Sequence, residues 1–96
     1  MQVKWLTKAL QNLDHEAENI AQDDPATARL VVQRIVDAVN LLSDNPLMGH
    51  PGRIHGTREL AVPDTSYILP YRVRPRLNRI EILRVFHTSR QPPKRW

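Results

Sequence analysis

The sequence predicts an α+β fold of element order β-α-α-β-β-β, an antiparallel helical hairpin packed on one face of a small, twisted, mostly antiparallel sheet. Three observations carry this. The chain has 96 residues, room for one hydrophobic core, so a single domain spans 1–96. The first half holds two apolar stripes at helical spacing, with Asp23-Asp24-Pro25 between them. The second half holds three β-prone runs separated by turn residues.

Val3-Lys4-Trp5-Leu6 is short and β-prone, a first strand. Thr7 then offers an N-cap, and Leu10, Leu13, Ala17, Ile20 and Ala21 recur on one helical face, predicting a helix over about 8–22. Asp24-Pro25 opens the second helix: a capping carboxylate, then proline at the first helical position, where no N–H is missed. Ala28, Val31, Val32, Ile35, Ala38, Val39 and Leu42 form its apolar face, and Asn45-Pro46 ends it. A connection this short makes the two helices antiparallel neighbours. From Asn45 to Thr57, glycine and proline punctuate a loop. Strands are predicted at Arg58–Val62, Tyr67–Arg74 and Arg79–His87, with turns at Pro63–Ser66 and Pro75–Asn78. Tyr67, Leu69, Tyr71 and Val73 share the face expected to meet the helices. Pro70 cannot donate to a ladder, so a bulge or unpaired position is expected there. The last strand, with Ile80, Ile82 and Phe86 on one face and Leu83 and Val85 on the other, reads as central. The sheet's other face is expected to be open and lined with arginine.

With 41% hydrophobic and 25% charged residues the composition is that of a folded protein. No apolar run approaches the roughly 20 residues of a membrane span. The first eight residues lack a signal-peptide pattern, so a cytoplasmic location is expected. The chain has no cysteine, which excludes disulfides, thiolate metal sites and a thiol nucleophile. His50 and His55 lack companions at ligand spacing, so neither a metal nor any other cofactor is expected. The formal charge of +4 is unevenly spread. Residues 1–48 hold four cations against seven anions, and residues 49–96 hold ten against three. That asymmetry points to an anionic partner for the second half, either nucleic acid or an acidic protein segment.

Gly56-Thr57-Arg58-Glu59-Leu60, Tyr67-Ile68-Leu69-Pro70-Tyr71-Arg72-Val73, and Ile80-Glu81-Ile82-Leu83-Arg84-Val85-Phe86-His87 with Arg90 three residues on follow one another in a fixed order. This combination resembles the RelE/ParE superfamily of type II toxins, in its plasmid-stabilisation branch. The resemblance implies a growth-inhibiting toxin neutralised by a cognate antitoxin, a small acidic DNA-binding protein, in a hetero-oligomer. RelE-like members cleave mRNA in the ribosome; ParE-like members act on DNA gyrase without chemistry. RelE-like toxins usually carry a cation where this chain has Ile68, so the resemblance favours the gyrase-directed branch. A ribosome-dependent endoribonuclease is the alternative, and a basic nucleic-acid-binding module without toxicity a second.

Arg58, Arg72, Arg74, Arg84, His87, Arg90 and Trp96 are the candidate partner-binding residues. Guanidinium groups suit carboxylate and phosphate, and histidine is the side chain most often used as an acid or base. If the chain is a nuclease, His87, Arg72 and Arg90 are its candidate catalytic groups. Arg84 has a second reading, packing through its aliphatic stem. Trp96, flanked by cations, is either a contact element or an anchor for the tail. Antitoxins of this superfamily wrap their toxins with a helix and an extended segment, which implies acidic side chains meeting the arginines and some apolar exposure on the helical hairpin.

Overall fold

A computed structural model describes residues 1–96. The chain runs β1 (Gln2–Trp5), α1 (Thr7–Asp23), α2 (Pro25–Asp44), β2 (His50–Pro51), β3 (Arg58–Ala61), β4 (Tyr67–Arg74), a 3-10 turn (Pro75–Leu77), β5 (Arg79–Ile82) and β6 (Phe86–His87). One sheet has the order β1-β5-β4-β3-β2, with β6 pairing β4 beyond the end of β5. Only β1 and β5 run parallel, and the helical hairpin supplies the crossover that such a pairing needs.

The helix boundary at Asp24 is as expected. Its carboxylate accepts from the Thr27 amide at 3.1 Å and the Thr27 hydroxyl at 2.6 Å, with Pro25 in the first turn. The start of α1 differs from expectation: Thr7 is already helical, and Leu6 holds the N-cap position with no side-chain bond. The Leu6 amide donates to the Ile82 carbonyl at 3.0 Å, so the parallel ladder continues right up to the helix. The buried line of α1 also differs. Ala9 and Glu16 are buried, Leu13 and Ile20 pack against the core, and Leu10 is 46% exposed. Ala17 and Ala21 instead line an outer groove with Ala28 and Val32 of α2. A charged residue at position 16 hid this line from the apolar pattern.

Tyr67, Leu69 and Tyr71 are buried in the core facing the helices, with Val73 packed at its margin. The final strand is not continuous from Arg79 to His87. β4 pairs Tyr71 with Ile82 and Ile68 with Phe86, so three residues on one side oppose two on the other. That extra residue is a bulge opposite Pro70, the residue without an N–H. The Pro70 carbonyl accepts from the Leu83 amide at 2.9 Å, and Asn12 of α1 caps the Val85 amide at 3.2 Å. One added residue reverses the alternation of side chains. Ile82 therefore shares the helix-facing side with Tyr71, while Phe86 pairs with Ile68 on the opposite side. The expected common face of Ile82, Arg84 and Phe86 does not exist.

The loop after α2 is not irregular throughout, as its glycines and prolines predict, but contains the short strand β2. Tyr71 secures it: its hydroxyl accepts from the Gly49 amide at 2.9 Å and donates to the Pro46 carbonyl at 2.8 Å. A Cβ at Gly49 would sit 2.7 Å from both the Glu59 carbonyl oxygen and the Tyr71 ring. Tyr71→Phe leaves Gly49 N–H and Pro46 C=O without their partner, and a loss of about 1–3 kcal/mol is expected from the urea midpoint at constant m-value.

Candidate functional site

The sheet face turned away from the helices carries Gln2 and Lys4 of β1, Arg79 and Glu81 of β5, Arg72 and Arg74 of β4, and Glu59 of β3, placed by the pairing register. Folding the β4–β5 hairpin about Pro75–Asn78 sets Arg72 opposite Glu81 and Arg74 opposite Arg79. Glu81 is buried to 5% exposure and accepts from Arg72 Nε at 2.6 Å, Arg74 Nε at 3.2 Å and Arg79 Nη2 at 2.7 Å. The Arg72 hydrogen bond outweighs desolvation and, with Arg74 and Arg79, lowers the Glu81 pKa to about 2. Two strands away on the same face, Glu59, 2% exposed, accepts from Arg53 Nε at 3.1 Å and Arg53 N at 3.0 Å.

The far end of the same face is covered rather than open. Ile68, Pro70 and Leu83 are buried there, and Trp96 stands edge-on to Phe86 with ring centroids 5.3 Å apart. The expectation of one uncovered, arginine-lined platform therefore holds only for the β1–β5–β4 portion. The reason is the bulge, which turned Phe86 onto this face and gave the tail an apolar seat.

The other candidate arginines are dispersed. Arg58 faces the helix side, opposite Tyr71, and donates to the carbonyls of Gly49 and Leu47, so it holds the loop. Arg84, in the bulge, donates to the Leu83 carbonyl at 2.6 Å, and burial lowers its pKa. Arg90 donates to Glu16 of α1, on the opposite side of the sheet from Arg72. His87 pairs with Tyr67 across β6 and β4, edge-on with centroids 5.1 Å apart, and its Nδ1 bonds Ser89. Tyr67 donates to the second oxygen of Glu16 at 3.0 Å. Burial, then that carboxylate, pushes the Tyr67 pKa up to about 12, so the phenol keeps its proton. The register thus puts His87 on one side of the sheet and Arg72 on the other, and the proposed trio of His87, Arg72 and Arg90 is not assembled. No three His, Cys, Asp or Glu side chains gather in a metal-holding group.

Glu16, Glu81, Arg53 and Arg79 carry no local sequence signal of these roles, and Glu59, expected in a weak cross-strand surface pair, is instead buried against Arg53. Glu81 left a trace: a hairpin turning at Pro75–Asn78 must set it beside Arg72.

The family model for the ParE toxin of the type II toxin-antitoxin system parDE matches residues 3–92. This chain belongs to the ParE toxin family. A curated relative, "Putative toxin Y4kP" of Sinorhizobium fredii (strain NBRC 101917 / NGR234), is 44% identical over 92 residues, covering 96% of this chain and 93% of its own. A solved structure described as the chromosomal ParDE TA system from P. aeruginosa superposes with a TM-score of 0.79 at 31% identity, covering 91% of this chain and 95% of that one. The ParE fold of two helices on a mostly antiparallel sheet is therefore shared, and no helix of this chain is long and apolar enough to cross a membrane.

Acid titration tests the Glu81 arrangement. A carboxylate with a depressed folded pKa contributes stability above its ordinary value of 4.5 and loses it as pH falls toward about 2. Stability is expected to decline across that interval, and Glu81→Gln to flatten the decline, as read from urea midpoints at stepped pH.

Proposed function

We propose that this ParE-family chain is a growth-inhibiting toxin that acts by contact, with DNA gyrase as its target, and that a cognate antitoxin neutralises it in a hetero-oligomer. In this reading the antitoxin is a small, acidic, DNA-binding protein and the toxin works in the cytoplasm, where plasmid stabilisation would use it. One observation carries the choice of contact over chemistry. His87 and Arg90 lie on the Glu16 side of the sheet, while Arg72 lies on the other. Cleavage of RNA by its own 2′-hydroxyl needs a base, an acid and phosphate-facing cations around one phosphate. Position 68, opposite Phe86, presents buried isoleucine instead of a cation.

The antitoxin half of the reading is supported by charge. Both anions of the sheet in the basic half, Glu59 and Glu81, are buried and already neutralised by arginine, so the surplus of cations faces outward. Among the partner-binding candidates, Arg72 and Arg74 point outward on the open face and Arg90 is exposed on the Glu16 side, with Trp96 at the covered end.

Induced expression is expected to arrest growth, and purified protein at micromolar concentration to inhibit gyrase supercoiling. His87→Ala is expected to leave both effects within about twofold. Unchanged supercoiling, together with ribosome-dependent mRNA cleavage that His87→Ala abolishes, would replace this reading with the endoribonuclease one.

A further inference from the structure

The two edges of the sheet are finished differently. At one edge lies β2, two residues long and containing Pro51, whose nitrogen has no hydrogen to offer another strand. At the other lies β1, which pairs only with β5. In a parallel ladder alternate residues turn both backbone groups toward the neighbour. The Gln2 amide donates to the Asn78 carbonyl and the Leu6 amide to the Ile82 carbonyl, each at 3.0 Å, which fixes the phase. Val3 and Trp5 therefore turn their N–H and C=O groups outward, and no protein group meets any of the four. Their half-buried side chains lie on the helix-facing side, at the margin of the core. β1 has neither proline nor bulge, and Lys4 is its only charge.

We propose that β1 is a homodimer edge, to which a second copy of this chain adds its own β1, antiparallel across a two-fold axis. The outward groups belong to odd-numbered residues, so hydrogen-bonded partners must be odd against odd. Centring the axis on Val3 sets Val3 against Val3, Trp5 against Met1 and Lys4 against Gln2 of the second copy. Each pair is compatible: two β-branched side chains, an aromatic ring with a thioether, an ammonium with an amide. The Met1 carbonyl accepts from Ser43 Oγ at 2.7 Å and keeps a lone pair for the Trp5 amide. Centring the axis on Lys4 makes comparable backbone bonds but sets the two ammonium groups directly opposite, which is unfavourable. Lys4 thus selects the register of self-pairing. Another protein's strand would have to bring this complement, whereas a second copy carries it by construction. The dimer does not depend on the function proposed above.

One short strand from each copy makes a small contact, so sedimentation equilibrium on the purified chain is expected to show the mass doubling as concentration rises through the micromolar range. Val3→Pro removes an outward N–H and leaves the β1–β5 ladder its donors, so it is expected to weaken dimerisation at least about tenfold. Circular dichroism establishes that the variant is folded; if it is not, disulfide trapping decides alone, since the chain has no cysteine of its own. Under mild oxidant Val3→Cys is expected to form a covalent dimer at least about tenfold faster than Glu18→Cys on α1, because hydrogen-bonded partners stand about 5.5 Å apart between Cα atoms. Lys4→Gln is expected to change dimerisation less than about threefold, because Lys4 faces Gln2 and not its own counterpart. Marked strengthening by Lys4→Gln, with Val3→Cys trapped no faster than Glu18→Cys, would move the axis to Lys4 and overturn the pairing. A chain monomeric at every concentration, or a dimer that withstands folded Val3→Pro, would overturn the edge itself. None of these measurements reads growth or supercoiling, so a failed dimer and a failed toxin reading are told apart.

Discussion

A single added residue opposite Pro70 governs where the functional groups of this protein point. Tyr71 pairs with Ile82 and Ile68 with Phe86, so the last strand must absorb one residue in between. The cause lies in covalent chemistry: proline has no N–H, and a ladder that meets it gains by stepping around it. The step reverses side-chain parity. Phe86 moves to the face away from the helices and receives Trp96, while His87 moves to the helix side and meets Tyr67. Val85 enters the core, with its amide held by Asn12. Half of the nominally open face is covered as a result, and the positive half is confined to the β4–β5 hairpin.

Three buried glutamates organise the rest of the polar structure. Glu16 holds Arg90 and the Tyr67 hydroxyl, and so ties the chain after β6 to α1. Glu59 holds Arg53 and closes the loop over β2 and β3. Glu81 holds Arg72, Arg74 and Arg79. A buried carboxylate without partners would be costly, and each of these is hydrogen-bonded by arginine. The arrangement converts a charge imbalance of the sequence into a located surface: the acids are consumed inside, and the remaining guanidinium nitrogens face solvent.

Membership of the ParE family and a contact mechanism fit the same geometry. A binding surface needs ordered donors and an accessible apolar neighbour, and the hairpin end supplies both through Arg72, Arg74 and Leu77. A catalytic site needs several groups converging on one atom. Here Tyr67 and His87 are spent on structure: Tyr67 stays protonated against Glu16, and His87 bonds Ser89.

The elements with strong local signatures were legible in the order of residues alone. Asp24-Pro25 marks the hairpin of helices, Asn45-Pro46 its end, and the alternation of Tyr67, Leu69 and Tyr71 the helix-facing side of β4, because capping, proline sterics and strand periodicity act within a few residues. It also foretold a disturbance at Pro70. What it left open was set by contacts between residues far apart in the chain. The buried line of α1 runs through Glu16 because Tyr67 and Arg90, 51 and 74 positions away, satisfy that carboxylate. Arg58, Arg72, Arg84 and Arg90 look alike as letters, and only strand register assigned one to a loop, one to an anion clamp, one to the bulge and one to α1. Local chemistry fixes the form of a segment, whereas the use of a charge depends on which opposite charge the fold brings within reach.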